Sequence, residues 1–136
     1  MNRQPMTVKS GQVPPLSVLG TEVRFLCEAG ATGNAWSLME VIMPRNSGPP
    51  LHTHDWDEAY YIIEGEVQFT IGAQSVLAAT GDFLYTPAGI PHGFHGVRVS
   101  TVRFCPWRAL RGHPANLLGH LVLPLGLETD PGRNLQ

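Results

Sequence analysis

His52 and His54 stand two residues apart, and Glu58 follows four residues after the second of them. On an α-helix, positions i and i+2 point about 200° apart and cannot share a metal ion; on a β-strand they lie on one face. The pair is therefore useful only in extended chain, and Pro49-Pro50 just upstream excludes a helix there. Glu58 has the same parity, yet along one straight strand it would lie about 13 Å from His54 at about 3.3 Å per residue. Metal–ligand bonds of about 2.1 Å cannot bridge that gap. The chain must turn at Asp55-Trp56-Asp57, where Asp-x-Asp is sound turn chemistry, and bring Glu58 back beside the imidazoles on a neighbouring strand. A fourth ligand comes from GDFLYTPAGIPHGFH, residues 81–95. Gly81 starts a strand, TPAGIP makes a tight connection, and His92 opens the return strand. Alternation sends His92 and Phe94 to one side and His95 to the other, so His92 is the expected ligand. His113 and His120 fall in a stretch without pattern and read as surface histidines.

Such ligands need strands to hold them, and the composition supplies the means. Fifteen glycines and twelve prolines make up about a fifth of the 136 residues, well above the average share. They punctuate short runs of Val, Ile, Leu, Phe and Tyr, which favours many short strands joined by tight turns. Candidate strands fall near 16–19, 22–27, 36–43, 51–54, 58–63, 66–71, 75–78, 82–86, 91–95 and 97–104. That spacing is the signature of an all-β antiparallel sandwich or barrel. Residues 1–15 read as a flexible N-terminal arm, 16–107 as the β domain, and 108–136 as an extension, irregular or short-helical, packed on the barrel or disordered. If Glu64-Gly65 is a two-residue hairpin turn, Ile62 faces Val67, Tyr60 faces Phe69 and Glu58 faces Ile71. One face then collects Glu58, Tyr60, Ile62, Val67, Phe69 and Ile71; the other collects Ala59, Tyr61, Ile63, Glu66, Gln68 and Thr70. A carboxylate on the first, otherwise apolar face must have a partner, because an unpaired buried charge is too costly.

At this point the residues resemble a known family. Residues 48–65 are similar to the first cupin motif: His52, Thr53 and His54, then Glu58, then Gly65. Residues 81–96 are similar to the second, with Gly81, Pro87, Ala88, Gly89 and His92 in place. Two departures stand out: Gly48 lies closer to the histidines than is usual, and Gly96 stands where the motif closes on asparagine. The resemblance implies a small antiparallel β-barrel, a double-stranded β-helix or jelly roll, commonly dimeric. It also implies one divalent metal on His52, His54, Glu58 and His92 inside the barrel mouth.

Three neutral imidazoles and one carboxylate leave a divalent ion with net positive charge and open positions. The set suits Fe, Mn, Ni or Zn and does not choose among them. Tyr60, Phe69 and Phe94, with Trp56 at the rim, are the expected substrate contacts and would favour a flat, largely apolar small molecule with one chelating group. Ile62 and Val67 read as barrel core. The expected activity is a metal-dependent oxidoreductase resembling the quercetin dioxygenase-like cupins, with Glu58 as ligand and catalytic base. The alternatives are a non-redox isomerase, lyase or hydrolase, and a non-catalytic small-molecule-binding cupin. With a net charge of −2 and no basic cluster, a nucleic-acid or polybasic membrane surface is not expected. No apolar run approaches the roughly 20 residues of a membrane span, and the first twenty residues have no signal-like apolar core, so a cytoplasmic protein is expected. Cys27 and Cys105, in apolar surroundings, read as buried free thiols. A homodimer is expected because Ala59, Tyr61 and Ile63 make the outward face more apolar than a solvated strand should be.

Overall fold

Short β-branched and aromatic runs, most of them followed within two residues by glycine or proline, become strands throughout the described part of the chain, residues 3–107 of a computed structural model. They are β1 (Leu16–Val18), β2 (Thr21–Cys27), β3 (Leu38–Met43), β4 (Asp57–Glu64), β5 (Glu66–Ile71), β6 (Gln74–Ala79), β7 (Phe83–Thr86), β8 (His92–Gly96) and β9 (Ser100–Trp107). One 3-10 turn, Ala29–Thr32, separates β2 from β3. The expectations for 108–136, His113 and His120 included, lie outside the described residues. Among the described residues no helix is long and apolar enough to cross a membrane.

Among the described residues the named strands pair antiparallel throughout, with one isolated parallel bridge from Arg45 to Gly96. Six strands form one sheet in the order β1-β2-β3-β9-β4-β7, and three form another in the order β6-β5-β8. Both sheets send apolar side chains into one shared core. Val23, Met39, Val41, Met43, Tyr60, Ile62, Leu84, Val102 and Phe104 come from the larger sheet, and Val67, Phe69, Ala78 and Phe94 from the smaller. This is the all-β jelly roll expected from the sequence.

The Glu64-Gly65 hairpin does not form. Strand β4 pairs with β7 and β9, whereas β5 pairs with β6 and β8, so the chain crosses from one sheet to the other at Gly65. Both edges of each strand are already occupied, and nothing remains to pair β4 with β5. Gly65 (φ 107°) is needed there because any Cβ would run into Ser100. The Ser100 hydroxyl and the Glu66 backbone exchange hydrogen bonds of 3.0 Å across the same step. The face assignment survives, because the chain changes parity once at the crossing, where the pairing of β4 with β9 shifts register between Ile62 and Glu64 and Gly65 turns inward. Glu58, Tyr60, Ile62, Val67 and Phe69 are buried and Ile71 half-buried, while Tyr61 and Thr70 are exposed. Ala59 is the exception, buried on the outward side between its partners Tyr85 and Cys105.

Three further expectations shift. Residues 51–54 form no strand; Pro49 and Pro50 offer no N–H for a ladder, and a single bridge, His52 to His92, is all that pairs. The last strand starts at Ser100 rather than 97, and the third at Leu38 rather than 36. The two cysteines are free, as expected, but half-buried rather than buried.

Candidate metal centre

Three backbone carbonyls decide which nitrogen each histidine offers. His52 Nδ1 bonds the Pro50 carbonyl at 2.6 Å, His54 Nδ1 the Trp56 carbonyl at 2.9 Å, and His92 Nδ1 the Ile90 carbonyl at 2.8 Å. A carbonyl only accepts, so each Nδ1 carries a hydrogen and donates it. Nε2 is then the nitrogen that each ring turns away from the backbone. One ligand nitrogen from each of the three rings lies within 4.8 Å of the other two.

Interlocked corners bring these rings together. His52 and His92 exchange backbone hydrogen bonds of 2.9 and 2.8 Å, which sets their rings 4.3 Å apart. Gly93 permits that approach, since a Cβ there would lie 2.8 Å from the Leu51 nitrogen. The Gly89 N–H donates to the His54 carbonyl at 2.7 Å, and the Ala88 N–H to Asp57 Oδ1 at 2.8 Å. Tyr85 donates its hydroxyl to Asp57 Oδ2 at 2.9 Å. The Pro-Ala-Gly connection is thus pinned against the turn that carries His54. At Gly96, which stands where the motif would close on asparagine, a Cβ would lie 2.9 and 3.0 Å from the carbonyl oxygens of Arg98 and Pro44. The departure from the motif has a steric reason.

Glu58, fully buried on β4, closes the group. Its Oε1 lies 2.6 Å from His54 Nε2 and its Oε2 3.2 Å from His92 Nε2. Trp56 Nε1 donates to Oε1 at 3.3 Å, and the Tyr60 hydroxyl donates to Oε2. The buried carboxylate therefore has the partners that its place on an apolar face demanded. At these distances each Nε2 and its carboxylate oxygen share a proton or a cation held between them. Three imidazoles and one carboxylate fit a divalent Fe, Mn, Ni or Zn ion, and they would be its holders.

Around the group the aromatic residues are placed tightly. Trp56 stacks on His54 at 4.3 Å and 8° between planes. Tyr60 stacks on Phe104 at 5.0 Å and presents its edge to Phe69 and Phe94 at 5.1 and 5.4 Å. Burial pushes the Tyr60 phenol well above the ordinary tyrosine value; the Glu58 charge and the hydrogen bond to Glu58 add to the rise, and a Thr86 hydrogen bond opposes it. Tyr60 is a neutral donor. His95 is exposed on the opposite face of β8, as its parity requires.

The three histidines that gather and the glutamate beside two of them are legible in the sequence, but the groups that hold them are not. The Pro50, Trp56 and Ile90 carbonyls leave no side-chain signal. Asp57 was legible only as turn chemistry, although its two oxygens tie β4 to the second corner.

A jelly roll that gathers histidines and a glutamate on its inner face defines a class of small β-barrel proteins. Residues 38–104 match the family model of the cupin domain, and the chain belongs to the cupin superfamily. An uncharacterized protein of Streptomyces coelicolor is 27% identical over 81 residues, covering 52% of this chain and 77% of that one. Quercetin 2,3-dioxygenase of Bacillus subtilis is 26% identical over 94 residues; the match takes 68% of this chain but spans only 28% of the enzyme's length. Among solved structures, an RmlC-like cupin from Shewanella frigidimarina aligns with a TM-score of 0.68 at 15% identity, covering 82% of this chain and 97% of the other. At that identity the likeness speaks for the fold alone.

Proposed function

We propose that this cupin is a metal-dependent oxidoreductase of the dioxygenase type, acting on a small aromatic or enolisable substrate. One observation carries the reading: a ring nitrogen from each of His52, His54 and His92 lies within 4.8 Å of the other two, and the buried Glu58 carboxylate meets two of those rings. A divalent ion bound there would supply Lewis acidity toward a phenol or enol oxygen and, as a redox-active metal, a partner for O₂.

This chain's own residues would do the rest. The carbonyls of Pro50, Trp56 and Ile90 keep the three Nδ1 hydrogens occupied, so the imidazoles stay in one tautomer. Glu58, an ionised carboxylate beside the reacting oxygen, would accept the proton that a phenol or enol must lose. Trp56, Tyr60, Phe69 and Phe94 would exclude water from it, and a flat apolar ring suits the aromatic surroundings. The 26% identity to a quercetin dioxygenase supports an oxygen-dependent reaction over the non-redox alternatives.

The test is oxygen uptake by protein reconstituted with Fe, Mn, Ni or Zn, over a panel of diphenols, diketones and flavonols. Uptake coupled to substrate loss is the expected result. Turnover without oxygen would replace this reading with an isomerase, lyase or hydrolase, and binding without turnover with a ligand-binding module.

A further inference from the structure

Two donors, on residues two before and two after Glu58, each take one of its carboxylate oxygens. Trp56 Nε1–H reaches Oε1 at 3.3 Å, and the Tyr60 hydroxyl reaches Oε2. Neither donor is loosely held. The Trp56 indole lies flat on His54, 8° from parallel, and is 7% exposed. The Tyr60 ring is 1% exposed and packed against Phe69, Phe94 and Phe104. An ionised carboxylate has about four lone-pair directions. Trp56 and Tyr60 take one direction on each oxygen, and toward the histidines Oε1 meets His54 Nε2 and Oε2 meets His92 Nε2.

We infer that Trp56 and Tyr60 are positioning residues that fix the plane of the Glu58 carboxylate, so that it meets a bound cation in one orientation. The inference rests on the metal-binding reading above and deepens it, since it assigns to two aromatic residues a task other than lining a substrate space. Alternation on β4 explains half of the arrangement: Tyr60 shares the inward face with Glu58, one residue pair along the strand. Trp56 stands just before β4, and the turn there lets the indole cover His54 while its N–H still reaches Glu58.

Tyr60→Phe removes the hydroxyl and keeps the ring; Trp56→Phe removes the N–H and keeps an aromatic on His54. Ile62→Val is the packing control, trimming the same core face and leaving both donors intact. Each protein is loaded with Co²⁺, and both the visible ligand-field band and the Co²⁺ affinity are read, with circular dichroism to verify folding. The expected result is a shifted band in both donor variants, with affinity lowered on the order of tenfold, as for other partners that orient a metal ligand. Ile62→Val should match the parent in both readouts. Unshifted bands in Tyr60→Phe and Trp56→Phe, or an equal shift in Ile62→Val, overturn the inference while leaving the metal site standing. A parent that binds no Co²⁺ overturns the metal reading and this inference with it.

Discussion

Each side chain of the candidate centre has two jobs divided between its atoms. For the histidines, Nδ1 is tied to backbone and Nε2 is turned inward; for Glu58, each oxygen meets one donor and one imidazole. Removing one imbalances the set without touching the apolar core. His52→Ala or His92→Ala is expected to lower metal occupancy at least about tenfold while leaving a folded β-protein, given the dependence of such sites on ligand number. Full occupancy in both variants by elemental analysis would remove the site. Glu58→Gln keeps the shape and deletes the charge. At saturating metal its turnover should fall further than metal loss accounts for, because a base has gone too. Turnover equal to the parent would leave Glu58 a ligand at most. Tyr60 gives a third test, through pH. Its phenol is raised in the folded state, so the unfolded chain loses this proton first. The contribution is fully present below the unfolded value of about 10 and is lost as pH climbs toward the raised folded value. Denaturation midpoints should therefore fall above about pH 10, and less steeply in Tyr60→Phe.

At the scale of elements, the two motif corners act as one unit because backbone and Asp57 join them. The Gly89 N–H meets the His54 carbonyl and the Ala88 N–H meets Asp57, so the turn carrying His54 and the connection leading to His92 move together. Asp57→Ala leaves the Ala88 N–H and the Tyr85 hydroxyl without this acceptor. The expected cost is about 1–2 kcal/mol, at the low end for charged hydrogen bonds because Tyr85 is exposed. Chemical denaturation measures it, and an unchanged midpoint would mean that the corners are held by backbone pairing alone. The strand pattern itself was legible, since alternation within β4 and within β5 picks out the inward positions Glu58, Tyr60, Ile62, Val67 and Phe69 irrespective of partner. Which strand lies beside which was not legible. A two-residue link such as Glu64-Gly65 reads locally as a hairpin, and only Ser100, 35 positions further on, shows that it is a step between sheets.

For the whole molecule, the outward face of the larger sheet carries exposed aromatic side chains. Ala59 is covered and Ile63 half-covered by neighbouring strands, so the apolar surface shifts to Tyr61, Phe83 and Tyr85, which are 47%, 66% and 50% exposed. Tyr61 and Phe83 are direct cross-strand partners on β4 and β7, and β7 is the edge of its sheet. An exposed aromatic group on an edge strand calls for cover. A second copy of this chain is the expected cover, burying on the order of 800 Å² per partner in a standard interface. Sedimentation should show a dimer that Phe83→Glu dissociates. Only monomer at roughly 20 micromolar, a concentration at which a dimer of Kd about 1 μM would be mostly assembled, would count against it.

The amino-acid sequence by itself determined the all-β class, the buried face of β4 and β5, and the three histidines that gather with Glu58 beside two of them. Ligand spacing and alternation are properties of neighbours in the chain, and extended geometry alone turns them into a shared face. Tertiary structure decided the rest. It alone placed β4 and β5 in different sheets, reduced residues 51–54 to a single bridge, and set the Trp56 indole and Tyr60 hydroxyl on the two oxygens of Glu58. Those outcomes depend on which distant backbone lies within hydrogen-bond reach, and no local pattern encodes that distance.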